Sequence, residues 1–99
     1  MEVARTESTA THAQRIRITL KLFASLTKYL PDAYRRSREM PMEIDPGATI
    51  DSIIALLGMP APLVKLVLLN GVFVSPDERA ATRFGDGDVL AIWPPIAGG

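Results

Sequence analysis

A chain of 99 residues can bury one core and is too short for two. With 47% hydrophobic and 22% charged residues it has the balance of a folded globular protein, and its 11 Lys and Arg against 11 Asp and Glu give no net basic charge for nucleic acid or an anionic membrane. Cysteine is absent and histidine occurs once, at His12, which excludes a disulfide framework, a thiol nucleophile, a thiolate metal site and a histidine-centred triad within the chain.

Residues 1–14, MEVARTESTATHAQ, have no apolar leader segment and no periodicity, and are expected to form a disordered N-terminal tail. The longest apolar run, IIALLGMPAPLV, is short for a bilayer and is broken by Pro60 and Pro62. The expectation is a cytoplasmic protein with neither a membrane nor a nucleic-acid partner.

From Arg15 the run RIRITLKLF alternates Ile16, Ile18, Leu20 and Leu22 with Arg17, Thr19 and Lys21, the pattern of a half-buried strand. ASLTKYL follows, with Leu26, Tyr29 and Leu30 at helical spacing and Pro31 as a stop. DAYRRSRE reads as a polar loop; its Arg35, Arg36 and Arg38 could grip phosphate, but the flanking Asp32 and Glu39 favour a solvated surface. EMPMEID places Met40, Met42 and Ile44 on one face of a second strand, and Pro41 predicts a sheet edge because it has no N–H to donate.

After the Pro46-Gly47 turn, Thr49 is a helix N-cap, Asp51 lies in the first turn, and Ile50, Ile53, Ile54 and Leu57 form the buried face of the main helix. Gly58 and Pro60 end it. VKLVLLNGVFVS is a hairpin around Asn70-Gly71, and the strand before the turn is apolar on both faces, as expected of an interior strand or one beside a contact surface. The polar segment PDERAATRFGDGD closes on the Gly85-Asp86-Gly87 turn, and VLAIW is the last strand. The order strand, strand, helix, strand, strand, strand predicts an α+β fold with a mixed sheet of four to five strands on one main helix.

Few of these features offer chemistry. Neither glycine turn opens a helix after a strand, as a phosphate loop would. Asp77, Glu78, Asp86 and Asp88 lack the spacing of a calcium loop, and no metal or cofactor site is expected. Trp93 could stack on a ligand, with a core or interface role the commoner use.

The end of the chain, LAIWPPIAGG, is different. With glycine at 7 of 99 positions, a glycine pair at the last two places arises by chance on the order of one time in 200. Pro94 and Pro95 favour an extended, stiff start, Ile96 and Ala97 offer apolar grip without bulk, and Gly98-Gly99 lets backbone pass a narrow channel. Six extended residues span about 20 Å, enough to carry the Gly99 carboxylate into a partner's active site. The expected organisation is thus a tail at 1–14, a domain at 15–93 and an extended tail at 94–99, with the Gly99 carboxylate as the reacting group and Pro94, Pro95, Ile96, Ala97 and Gly98 as the partner-binding segment.

LFASLTKYLP after the first strand, PGATIDSIIALLG, LLNGVFV and DGDVLAIWPPIAGG together resemble the MoaD/ThiS family of ubiquitin-like, β-grasp sulfur carrier proteins over nearly the whole of residues 15–99. The double proline ahead of the glycine pair is most similar to the family's molybdopterin-synthase small subunits. Trp93 stands where the family often carries phenylalanine or another aromatic residue, and the stretch MPAPLVK is shorter than in many of those subunits. The resemblance implies a β-grasp fold with the first and last strands parallel at the sheet centre. It implies a non-catalytic subunit whose Gly99 carboxylate is adenylated by an E1-like, ATP-using enzyme and converted to a thiocarboxylate. The tail would then enter a molybdopterin synthase large subunit, in a heterotetramer, and give sulfur to molybdenum or tungsten cofactor synthesis. Carriers for thiamine, tRNA thiolation, cysteine or siderophore synthesis, ubiquitin-like modifiers and inert β-grasp docking modules remain open alternatives.

Overall fold

The computed structural model describes residues 15–96 of the chain. The alternating segment forms β1 (Ile16–Leu22), with Ile18, Leu20 and Leu22 buried in the core and Arg17, Thr19 and Lys21 on the other face. A 3-10 helix over Ala24–Tyr29 buries Leu26 and hands the chain to Leu30, also buried. The segment read as a polar loop instead contains one helical turn, α1 (Asp32–Arg35). The cause is local pairing: Arg35 meets Asp32 at 2.8 Å and donates from Nε to the Leu30 carbonyl at 2.9 Å and from Nη2 to the Lys28 carbonyl at 3.0 Å.

β2 (Glu39–Ile44) pairs antiparallel with β1 and occupies a sheet edge, as Pro41 predicted; Ile44 is buried and Met40 and Met42 pack against the core. The main helix, α2 (Ile50–Leu56), opens with a capping box. Thr49 Oγ1 accepts from the Ser52 N–H at 3.2 Å, and Ser52 Oγ accepts from the Thr49 N–H at 2.8 Å, which satisfies two of the helix's free donors. At the other end Gly58, at φ 74°, donates to the Ala55 carbonyl while Met59 donates to Ile54, the paired bonds of a Schellman stop.

β3 (Leu66–Leu69) and β4 (Val72–Phe73) form the predicted hairpin, with Asn70 at φ 53° and Gly71 at φ 83°, both positive as a type I′ turn requires. β5 (Val89–Trp93) completes a five-stranded sheet in the order β2-β1-β5-β3-β4. β1 and β5 run parallel and all other pairs antiparallel, which is the β-grasp arrangement expected from the resemblance. Ile50 and Ile53 of α2 share one core with Leu20, Leu22, Leu26, Val67, Leu90 and Ile92. Each fully buried aliphatic side chain of this set contributes about 1.5–3 kcal/mol relative to exposure. No helix among the described residues is long and apolar enough to cross a membrane.

Candidate functional site: the root of the tail

β5 ends where the tail begins, and the sheet holds that point from both sides. On the β1 side the Phe23 N–H donates to the Ile92 carbonyl at 3.2 Å; on the β3 side the Lys65 N–H donates to the Trp93 carbonyl at 2.9 Å. Leu90 and Ile92 point into the core and are fully buried, so Trp93 turns to the opposite face of the sheet. There its ring stacks on Phe23, with centroids 4.2 Å apart and planes within 2°. Pro94 is buried, whereas Pro95 and Ile96 are exposed, Ile96 to 80%. Of the expected partner-binding segment, exposure therefore starts at Pro95. Ala97, Gly98 and the reacting Gly99 lie outside the described residues, as does the expected tail at 1–14.

Beside the root lies a groove of about 600 Å³, lined by Lys65, Leu66, Phe73, Pro76, Trp93, Pro94 and Ile96. Among the described residues Lys65 is its one charged residue, and Phe73 and Leu66 are the exposed apolar residues of the hairpin that reach it. The same outer face is polar on the β1–β2 half, where Arg17 pairs with Glu43 at 3.0 Å and Lys21 with Glu39 at 3.8 Å. One sheet face is thus divided into a charged half and an apolar half, with the tail leaving from the apolar side.

The competing candidates resolve into structural work. Asp88 accepts from the Gly85 N–H and from the Asn70 side-chain amide, and Asp86 accepts from the Arg17 N–H at 2.9 Å. Asp77 and Glu78 belong to a 3-10 turn over Pro76–Glu78. Arg35 is committed to carbonyls and to Asp32, which takes one of the three arginines out of a phosphate grip. Among the described residues no group of three or more His, Cys, Asp or Glu is placed to hold a metal.

Sequence reasoning missed Phe23, Lys65 and Arg79. For Phe23 a signal existed: period two carries the outward series Arg17, Thr19, Lys21 on to an aromatic residue. Lys65 and Arg79 had none, since both are recruited by tertiary packing. Arg79 is buried, its Nε donating to the Val74 carbonyl at 3.4 Å while Nη2 has no partner among the described residues.

The protein-family model described as Mut7-C ubiquitin matches residues 15–97. The molybdopterin synthase sulfur carrier subunit of Drosophila melanogaster is 28% identical over 78 residues, covering 79% of this chain and 87% of that protein. In fold, the chain is similar to the Haloferax volcanii HVO 2177 protein, with a TM-score of 0.67 at 24% identity over 87% of this chain and 89% of that one. It is also similar to the small archaeal modifier protein 1 of Haloferax volcanii, with a TM-score of 0.60 at 23% identity over 82% and 99% of the two chains.

Proposed function

This chain belongs to the Mut7-C ubiquitin family, and from that premise, together with the tail it presents, we propose that it is a ubiquitin-like sulfur carrier whose Gly99 carboxylate is the reacting group. The observation that carries the reading is the geometry of the tail root. A strand fixed at the sheet centre ends on a clamped tryptophan and a buried proline, and then releases an exposed Pro95-Ile96 toward the glycine pair. That arrangement suits a domain that stays outside a partner while its last residues enter it.

A carboxylate is a poor electrophile until one oxygen becomes a good leaving group. In the proposed sequence an E1-like partner directs a Gly99 carboxylate oxygen onto the α-phosphorus of ATP, and pyrophosphate leaves. A sulfide-level donor then attacks the acyl carbon, AMP leaves, and a thiocarboxylate remains. ATP is the partner's substrate, and the domain itself contributes no bound cofactor. The finer proposal is that this sulfur goes to a molybdopterin synthase large subunit, for molybdenum or tungsten cofactor synthesis; the name of the Drosophila relative and the Pro94-Pro95 pair support it.

Co-expression with the activating enzyme followed by intact-mass analysis tests the reading. The expected product is a chain terminating at Gly99 with one oxygen replaced by sulfur, lost on deletion of Gly99 or on addition of one residue after it. A native protein that continues past Gly99, or a deletion variant that still supports cofactor synthesis, would overturn it. A second reading is favoured by the likeness to an archaeal modifier protein: the activated Gly99 is joined to lysine amines of other proteins. Isopeptide adducts dependent on Gly99, without a thiocarboxylate species, would select that reading.

A further inference from the structure

We propose that Phe23 is a positioning residue for the tail: its ring, stacked flat on Trp93 at the end of β1, fixes the direction in which the chain leaves the sheet. The inference rests on the reading of Gly99 as the reacting end.

Three observations converge on it. First, the Phe23 N–H to Ile92 bond extends the parallel β1–β5 pairing to the end of β5, so Phe23 is anchored to the strand that launches the tail. Second, the chain then turns at Ala24 with φ 53°, a left-handed conformation that a residue with a Cβ rarely adopts and that glycine would take without strain. Such an outlier persists only where its surroundings over-determine it. Here the Leu26 N–H closes the turn onto the Phe23 carbonyl at 3.0 Å. Third, the Phe23 ring, projecting from extended backbone just ahead of that turn, lies within 2° of the Trp93 plane. With the backbone bond from Lys65 on the β3 side, Trp93 is held across both flanks of β5, and Pro94 is buried directly after it. Proline fixes φ at Pro94 and Pro95, so the orientation set at Trp93 is carried outward rather than lost at the next bond. Loss of the ring frees the indole and with it the first step of the tail.

The test compares Phe23→Leu, Phe23→Tyr and Ala24→Gly in the full chain, using ATP–pyrophosphate exchange by the activating enzyme. Near-UV circular dichroism of Trp93, the chain's one tryptophan, and the backbone order parameter of Ile96 are measured alongside. Phe23→Leu should lower kcat about tenfold, with KM changed by less than about twofold, and should lower the Ile96 order parameter. Phe23→Tyr, which keeps the flat ring, should retain the wild-type kcat and Ile96 order parameter. Ala24→Gly, which takes the same turn without strain, should hold or raise the melting temperature and leave kcat and the Ile96 order parameter at their wild-type values, and a loss of either would overturn the proposal. Phe23→Met, which also lacks the ring, carries the test if Phe23→Leu fails to fold. A rise in KM alone would make Phe23 a contact for the partner and overturn the proposal, as would an unchanged kcat with the Trp93 signal lost. If the wild type supports no exchange, the carrier reading fails. The Ile96 order parameter then decides positioning by itself: a fall in Phe23→Leu supports it, and no change overturns it.

Discussion

Asp88 joins segments that lie far apart in the chain. Its Oδ2 accepts from the Gly85 N–H at 2.7 Å, its Oδ1 from the Asn70 side-chain amide at 2.9 Å, and its carbonyl from the Thr19 N–H at 2.9 Å. Asn70 completes the circuit by accepting from the Val89 N–H at 2.9 Å. One carboxylate therefore ties the loop before β5 to the β3–β4 turn at the far end of the sheet from the tail. Asp88→Ala leaves donors on Gly85 and Asn70 without this acceptor and should cost about 1–2 kcal/mol, the lower part of the usual range because the site is half-exposed. Urea denaturation reads this as a lower midpoint with unchanged slope; a shift below about 0.5 kcal/mol would make the bonds incidental. In the sequence, Asp88 was indistinguishable from the acidic residues around it. Its oxygens acquire partners only when the Asn70 turn and the β5 start are brought together.

The elements differ in how openly they are written. β1 and the hairpin follow from period two and an Asn-Gly pair, and α2 from an N-cap, an apolar stripe and a stop, because each signal is contained in a few adjacent residues. Pro41 even placed β2 at its edge. α1 was hidden because its four residues carry no apolar stripe; they turn on contacts of Arg35 with carbonyls already placed by Leu30 and Lys28. The tail root was half legible: Pro94-Pro95 announced an exit, while the Phe23 stack that holds it depends on β1 and β5 being neighbours. For α2, only seven residues long, the cap is a large share of what holds the element. Thr49→Ala should cost about 1 kcal/mol and raise amide exchange at Ser52 first, with the hairpin amides unaffected. Equal loss of protection across the sheet would show that α2 does not open independently.

For the whole molecule, the parallel β1–β5 pair means that the two ends of the domain meet at its centre. The core is not closed until the last strand is in place, since Leu90 and Ile92 fill its middle. A chain ending at Asp88 should therefore remain unfolded, whereas one ending at Pro95 should keep native amide protection and lose only the proposed carrier reaction; a folded Asp88-terminated chain would refute this account of the core. β5 is bonded along both edges, to β1 and to β3. A partner that draws the tail along the strand axis while holding the domain loads those bonds together, in shear, and none can be peeled ahead of its neighbours. The domain then behaves as a knot at the end of a cord: the tail can be pulled taut as far as Trp93, and there the pull is stopped.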